Sequence, residues 1–299
     1  MKMNGNLRIP PVKTFPSSTD ETRRIVSENQ PNFFTGLLVN FSKKILFNDA
    51  KNIAIFYLVF LSALAFLESL YEFDGTFFLV QKNNFVNQYG VKIGWFWTLA
   101  IVGPFIWFSS KAHNKKDSRD QPLIDIARLG VATACWYGAT NLFRYIHELT
   151  SHCTSGLSFS LQKCEVEGGD WIHGWDFSGH CFLMLYSILV LTEEASAFRN
   201  YQKVTDEVLP TNEDWEDHRK ITRIINFFFV AMGVLHVLWF KQLMISVIYY
   251  HTWVEEFGGA LTAVACWYLT YRVLYPAGFL QSPIDRSKTS KRVSNVKRR

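Results

Sequence analysis

Two histidines stand at the mouths of apolar runs. His180 ends the stretch Trp175-Asp176-Phe177-Ser178-Gly179-His180 and is followed at once by the run Cys181 to Val190. His251 lies in Tyr249-Tyr250-His251-Thr252-Trp253-Val254-Glu255, just after an apolar run that begins near Ile221. If both runs cross a membrane in succession, the two imidazoles meet at the same face of the bilayer. A neutral imidazole can attack phosphorus, and a protonated one can hand its proton to the leaving oxygen. Together they suit phosphate-ester chemistry, and that mechanism needs no metal and no cofactor.

The neighbours of each histidine suit that work. Ser178-Gly179-His180 precedes a helix, whose free backbone N–H groups and positive dipole end attract an anion. Gly179 allows close approach to the backbone, and Asp176 is placed to cap the helix. Glu255 follows His251 by four residues, which in a continuous helix puts both on one face. A carboxylate bonded to one ring nitrogen fixes the tautomer and raises the basicity of the other. Each motif alone also describes something plainer. Ser-Gly-His fits a simple capped helix, and His251 fits an interfacial histidine in the aromatic belt of Tyr249, Tyr250 and Trp253.

The elements that must position these residues are membrane helices. The chain has 299 residues, 48% hydrophobic and 16% aromatic, with 26 Phe and 12 Tyr. Its mean hydropathy is barely above zero because polar tails dilute clustered apolar segments. A bilayer core of ~30 Å asks for about 20 mostly apolar residues per helix. Six segments qualify: about Asn52 to Tyr71, Ile93 to Ser110, Leu123 to Glu148, Ser178 to Phe198, Ile221 to Tyr250, and Phe257 to Tyr275. The second holds Gly103-Pro104 and is expected to bend there. The fifth is long enough to tilt or to break near Lys241. The fold class is therefore an all-α membrane protein, a six-helix transmembrane bundle.

Loop charge orients the bundle. Lys111, Lys115, Lys116 and Arg119 follow the second span, and Arg199, Lys203, Arg219 and Lys220 follow the fourth. The tail adds Arg286, Lys288, Lys291, Arg292, Lys297, Arg298 and Arg299, while the opposite loops are nearly free of base. Cytoplasmic loops carry the Lys/Arg excess, so both termini are expected in the cytoplasm and both histidines at the other face. The net charge of +5 comes largely from these segments. Topology and attraction to anionic lipid account for it without nucleic acid. Residues 1–50 read as a cytoplasmic tail with no cleavable signal peptide and a surface helix from Phe33 to Phe47. Residues 51–276 form the spanning domain, and 277–299 a basic cytoplasmic tail.

Five cysteines make no disulfide framework. Cys135, Cys181 and Cys266 fall in or beside spans and are expected to pack as small apolar residues. Cys153 and Cys164 share a non-cytoplasmic loop, where a disulfide is allowed but not required. His147, His152, Cys153, Cys164 and His173 offer zinc-type ligands, yet their spacing fits no closed zinc pattern. Ionisable groups inside spans are costly and face the interior. Glu194 lies about 21 Å beyond His180 by helical rise, a depth at which it can pair with His236 or Lys241, or else snorkel with Glu193 at the cytoplasmic edge. Such a pair suits a lipid-binding cavity or a structural tie, which makes Glu194 and Lys241 candidate substrate-binding residues. Arg144 and Lys163 are candidates for pairing with phosphate.

Ser-Gly-His followed by His-x-x-x-acid on successive spans resembles the lipid phosphate phosphatases. The match departs where Phe177 replaces a proline and where Met244-Ile245 precede the second histidine. The upstream Lys-x6-Arg-Pro motif has no counterpart. A closer resemblance covers about Trp175 to Tyr275. Asp176-Phe177-Ser178-Gly179-His180-Cys181-Phe182-Leu183 with Glu193-Glu194, then Tyr250-His251-Thr252, Glu255, Gly258 and Trp267-Tyr268, resemble the two signature blocks of the fat storage-inducing transmembrane family. That resemblance implies an endoplasmic reticulum protein needed for lipid droplet formation. It implies cleavage of fatty acyl-CoA at its diphosphate, giving acyl 4′-phosphopantetheine and adenosine 3′,5′-bisphosphate, with His180 and His251 as the family's two histidines. Trp171, Trp175 and Trp253 are then available to stack on adenine, or simply to anchor in the interface. The competing function is a non-enzymatic protein that binds diacylglycerol or triacylglycerol and promotes droplet budding. A transporter or scaffold built on the same intramembrane charges is a third. The placement of the histidines separates them, because only hydrolysis needs both rings at one phosphorus.

Overall fold

The computed structural model describes residues 33–71, 85–113, 121–156, 160–207, 212–250 and 252–283. The chain divides into two units, Met1–Leu37 and Leu38–Arg299. The described part of the first is only the opening of a helix. In chain order the helices are α1 (Phe33–Leu46), α2 (Ala50–Leu70), α3 (Gly94–His113), α4 (Gln121–Thr150), α5 (Leu161–Val166), α6 (Gly179–Glu207), α7 (Asn212–Tyr249) and α8 (Trp253–Tyr268). A π-helical turn, Val86–Val91, precedes α3, and another, Leu269–Leu274, extends α8.

The expected spans fall on α2, α3, α4, α6, α7 and α8 with its π-helical extension. Among the described residues, three helices are long and apolar enough to cross a membrane: Ala50–Leu67, Gly179–Arg199 and Arg219–Tyr249. Pro104 lies inside α3, and of the two expectations for the fifth span the break near Lys241 is not formed, since α7 runs through it.

α6 is the axis of the fold. Its Gly179–Arg199 stretch is 89% buried, against 28% and 33% for the other two. Its sequence from Cys181 to Leu191 is apolar nearly all round, the pattern of a helix with neighbours on every side. α2, α3, α4, α7 and α8 supply those neighbours. The surrounding helices turn large apolar side chains outward, including Ile55, Phe56 and Val59 on α2 and Val234, Val237 and Leu238 on α7. A surface of that kind suits lipid better than water.

A polar knot ties α6 about halfway along its length. The Arg128 guanidinium meets the Glu194 carboxylate in a fork, Nε to Oε1 at 2.8 Å and Nη2 to Oε2 at 2.7 Å. Arg128 Nη1 also donates to Asp125 Oδ1 at 3.0 Å and to the Gln281 carbonyl at 3.1 Å. Tyr271 from the π-helical turn donates to Glu194 Oε1 at 2.8 Å. Glu193 accepts from Trp267 Nε1 at 3.0 Å and from Arg272 at 2.6 Å. This corrects the expectation that Glu194 pairs with His236 or Lys241. The bidentate arginine wins because its planar fork matches a carboxylate, and Lys241 is exposed on α7. Neither glutamate snorkels, since Glu193 and Glu194 are 2% and 0% exposed. Breaking a buried pair leaves an uncompensated charge, so Arg128→Met is expected to cost about 3–5 kcal/mol. Thermal and denaturant unfolding of the detergent-solubilised protein would measure it.

Candidate active site

A short braced loop delivers His180. Between α4 and α6, β1 (His152–Cys153) pairs antiparallel with β2 (Trp171–Ile172), and Cys153 is disulfide-bonded to Cys164. The disulfide that the sequence left open is therefore formed. The chain then returns across the end of α4. Ser151 Oγ accepts from the Gly174 N–H at 2.8 Å and Thr150 Oγ1 from the Trp175 N–H at 2.9 Å. A Cβ on Gly174 would strike this same turn, so only glycine passes. Ser178 then caps α6, its Oγ accepting from the Cys181 N–H at 3.1 Å. The expected cap, Asp176, is exposed. Ser178 wins because its hydroxyl sits at the cap position itself and is wholly buried. His180 follows in the first helical turn, partly buried. A Cβ on Gly179 would meet no described atom within 4 Å, so the backbone there is open to approach.

The second turn is built differently from the sequence reading. His251 lies outside the described residues, and the chain on either side of it is not one helix. α7 ends at Tyr249 and α8 begins at Trp253, with Thr252 extended at φ −73°, ψ 158°. Thr252 and Glu255 form a reciprocal capping box, in which Glu255 Oε2 accepts from the Thr252 N–H at 2.9 Å. The four-residue spacing of His251 and Glu255 therefore bridges a helix start and not a continuous helical face. Thr at the cap with Glu three residues on is the sequence signature of that start.

The two turns are fastened to each other. The Ser178 N–H donates to the Glu255 carbonyl at 3.0 Å. Ser178 Oγ donates to Glu256 Oε1 at 3.2 Å, and Ser246 Oγ from α7 donates to the same oxygen at 2.9 Å. Two glycines let α8 come this close. A Cβ on Gly259 would lie 2.5 Å from the Ser178 carbonyl oxygen, and one on Gly258 would enter the Phe177 ring. The segment that leads into α6 thus lies directly against the first turn of α8.

The remaining expected residues are spread out. Arg144 near the end of α4 and Lys163 on α5 are exposed, as is Lys241 on α7. Glu194 belongs to the knot about halfway along α6. His147 and His173 stack with ring centroids 6.0 Å apart. Among the described residues no group of three His, Cys, Asp or Glu is arranged to hold a metal ion. Sequence reasoning missed Glu256, hidden beside the more conspicuous Glu255, and missed Arg128. The signal for Arg128 was available, since Asp125 and Arg128 stand three apart inside an apolar run.

The family model described as "Fat storage-inducing transmembrane protein" matches residues 76–149 and 145–271. The chain belongs to the fat storage-inducing transmembrane family. Within it, the chain is similar to "Acyl-coenzyme A diphosphatase FITM2" of Caenorhabditis elegans, 56% identical over 89% of this chain and 94% of that protein. The protein of the same name from Xenopus laevis is 34% identical over 65% of this chain and 71% of its own length. The Homo sapiens protein is 30% identical over 68% and 74%. No solved structure matches. The family match runs across the loop, α6, α7 and α8, the elements that build the joined turns.

The glycine contact gives a paired test. Gly259→Ala forces a methyl against the Ser178 carbonyl and is expected to lower stability by about 1–3 kcal/mol. Gly179→Ala adds its methyl to open space and should leave stability within about 0.5 kcal/mol. Melting temperatures of the two variants, measured side by side, check both.

Proposed function

We propose that this chain is a fatty acyl-CoA diphosphatase of the endoplasmic reticulum membrane. It would hydrolyse acyl-CoA to acyl 4′-phosphopantetheine and adenosine 3′,5′-bisphosphate and support lipid droplet formation. The observation that carries the reading is the 3.0 Å hydrogen bond from the Ser178 N–H to the Glu255 carbonyl. It joins the turn before His180 to the turn after His251, as a two-histidine phosphoryl transfer needs. The curated relatives named as acyl-coenzyme A diphosphatases supply the substrate class.

In this mechanism neutral His251 attacks one phosphorus of the diphosphate in line with the bridging oxygen. The P–O bond breaks, and His180 as imidazolium protonates the departing phosphate. Water, deprotonated by the now neutral His180, attacks the phosphohistidine and frees His251. One water is consumed, and attack at either phosphorus yields the same two products. Ser178 caps the helix that carries His180, Gly179 leaves its backbone open to an anion, and Asp176 lies exposed at the mouth. Glu255 orients His251 with the carboxylate capacity left beside the Thr252 N–H, since an ionised carboxylate has several acceptor sites. Arg144 and Lys163, both exposed, are the candidates to pair with phosphate. Glu194 is engaged by Arg128 and Tyr271, and Lys241 is exposed on α7.

The same reading completes the topology. With six spans both termini would lie on one side, the Lys/Arg-rich loops support the cytoplasm as that side, and the histidines would then stand at the lumenal rim of a bundle like that of the lipid phosphatases. The disulfide on the histidine side agrees with an oxidising compartment. The acyl chain stays in the bilayer while the nucleotide stays wet.

His180→Ala and His251→Ala are each expected to abolish hydrolysis of oleoyl-CoA by purified, reconstituted protein, a loss of at least about 10³-fold. Product release followed by chromatography checks it. Activity retained in either variant would refute the mechanism and leave lipid binding as the function. Phosphatidic acid should be turned over more slowly than oleoyl-CoA, and the reverse order would place the chain with the older phosphatases.

A further inference from the structure

Glu256 lies next to Glu255 in sequence and has a different task. The capping of α8 is already performed by Thr252 and Glu255. Glu256 instead turns inward, 2% exposed, where a carboxylate is expensive unless its bonds are worth keeping. Its Oε1 receives two hydroxyls, Ser178 at 3.2 Å and Ser246 at 2.9 Å, and these serines are themselves 0% and 2% exposed. The two hydroxyls come from different chain segments. Ser178 caps α6, the helix that begins with His180 in its first turn. Ser246 lies in the last turns of α7, the helix that leads into His251. One carboxylate oxygen thus clasps both segments from a third helix.

We infer that Glu256 is a positioning residue for the hydrolytic reaction, holding the start of α6 and the end of α7 at the separation that lets His180 and His251 address one diphosphate. The inference rests on the proposed two-histidine reaction and deepens it. In-line transfer needs attacking nitrogen, phosphorus and leaving oxygen nearly collinear, so small displacements of one ring relative to the other are costly in rate. Substrate binding has no such requirement. A residue that sets only this geometry therefore acts on turnover and spares affinity.

The test uses full-length protein in lipid vesicles, comparing wild type, His180→Ala, Glu256→Leu, Glu256→Gln and Ser246→Ala. Binding sites are counted, and their affinity measured, with an acyl-CoA analogue whose diphosphate bridging oxygen is replaced by methylene. Turnover of oleoyl-CoA is then expressed per binding-competent site. Glu256→Leu is expected to lose about 10²-fold in turnover per site with affinity unchanged. Glu256→Gln, which keeps an oxygen acceptor for both hydroxyls, should fall between Leu and wild type. Ser246→Ala should fall in the same direction, and adding it to Glu256→Leu should cost little more, because the two act as a unit. A purely structural residue would lower the number of binding sites and the turnover together, leaving turnover per site at the wild-type value, and that result overturns the inference. If Glu256→Leu does not fold, unchanged turnover per site in Ser246→Ala overturns it equally. Wild type that fails to hydrolyse oleoyl-CoA would sink both this inference and the acyl-CoA reading. Active wild type with inactive His180→Ala and fully active Glu256 variants would sink this one alone.

Discussion

The rest of the structure depends on the burial of α6 on all sides. A helix in that position meets protein all round, so each polar group on it must find a protein partner. Side chains from other elements supply those partners at two levels. About halfway along, Glu193 and Glu194 take Arg272, Trp267, Arg128 and Tyr271. At the near end Ser178 takes the Cys181 N–H and gives its own hydroxyl to Glu256. The two levels differ in kind. The mid-helix knot is dense, charged and closed. The near one is lighter, and Gly179 beside it faces open space.

Close packing at the near end is a matter of missing side chains. Gly258 and Gly259 on α8 allow Phe177 and the Ser178 carbonyl to lie where a Cβ would otherwise be. That contact makes the backbone bond from Ser178 to Glu255 reachable. A bond between two main chains transmits position with less slack than one between long side chains. The braced loop with its disulfide performs the same service from the other direction, delivering Trp175 to Ser178 on a fixed path.

Much of this was legible in the residues. Apolar runs gave helices whose ends moved by only a few residues, except where polar turns carry on, as at the start of α7 (Asn212–Tyr249). The neighbourhood of His180 was readable because Ser-Gly before an apolar run is a local helix start. Partnerships at a distance were not readable. Glu194 was matched to His236 or Lys241 because those lay at the right depth on an adjacent span, whereas Arg128 offered a better fork from α4. The cap went to Ser178 and not Asp176 because the helix begins two residues later than an aspartate cap requires. The break before α8 was expected between the spans ending at Tyr250 and beginning at Phe257, and Thr252 with Glu255 marks where the new helix starts. Glu256 left no trace, since an acid in a first helical turn is ordinarily solvated and its inward face depends on where Ser178 and Ser246 happen to fall.

The break matters because it creates a second helix start at the same end of the bundle. The first turns of α6 and α8 adjoin through the Ser178–Glu255 bond, and each brings roughly half a positive charge from its free N–H groups. The two starts are treated unequally. α8 carries Glu255 and Glu256 in its first turn, and α6 carries no acid there. α8 is thus neutralised from within, one carboxylate closing its capping box and the other buried against two serines. α6 has no acid of its own in that turn, and the Glu256 carboxylate reaches its cap through the Ser178 hydroxyl, so one buried acid serves both helix starts.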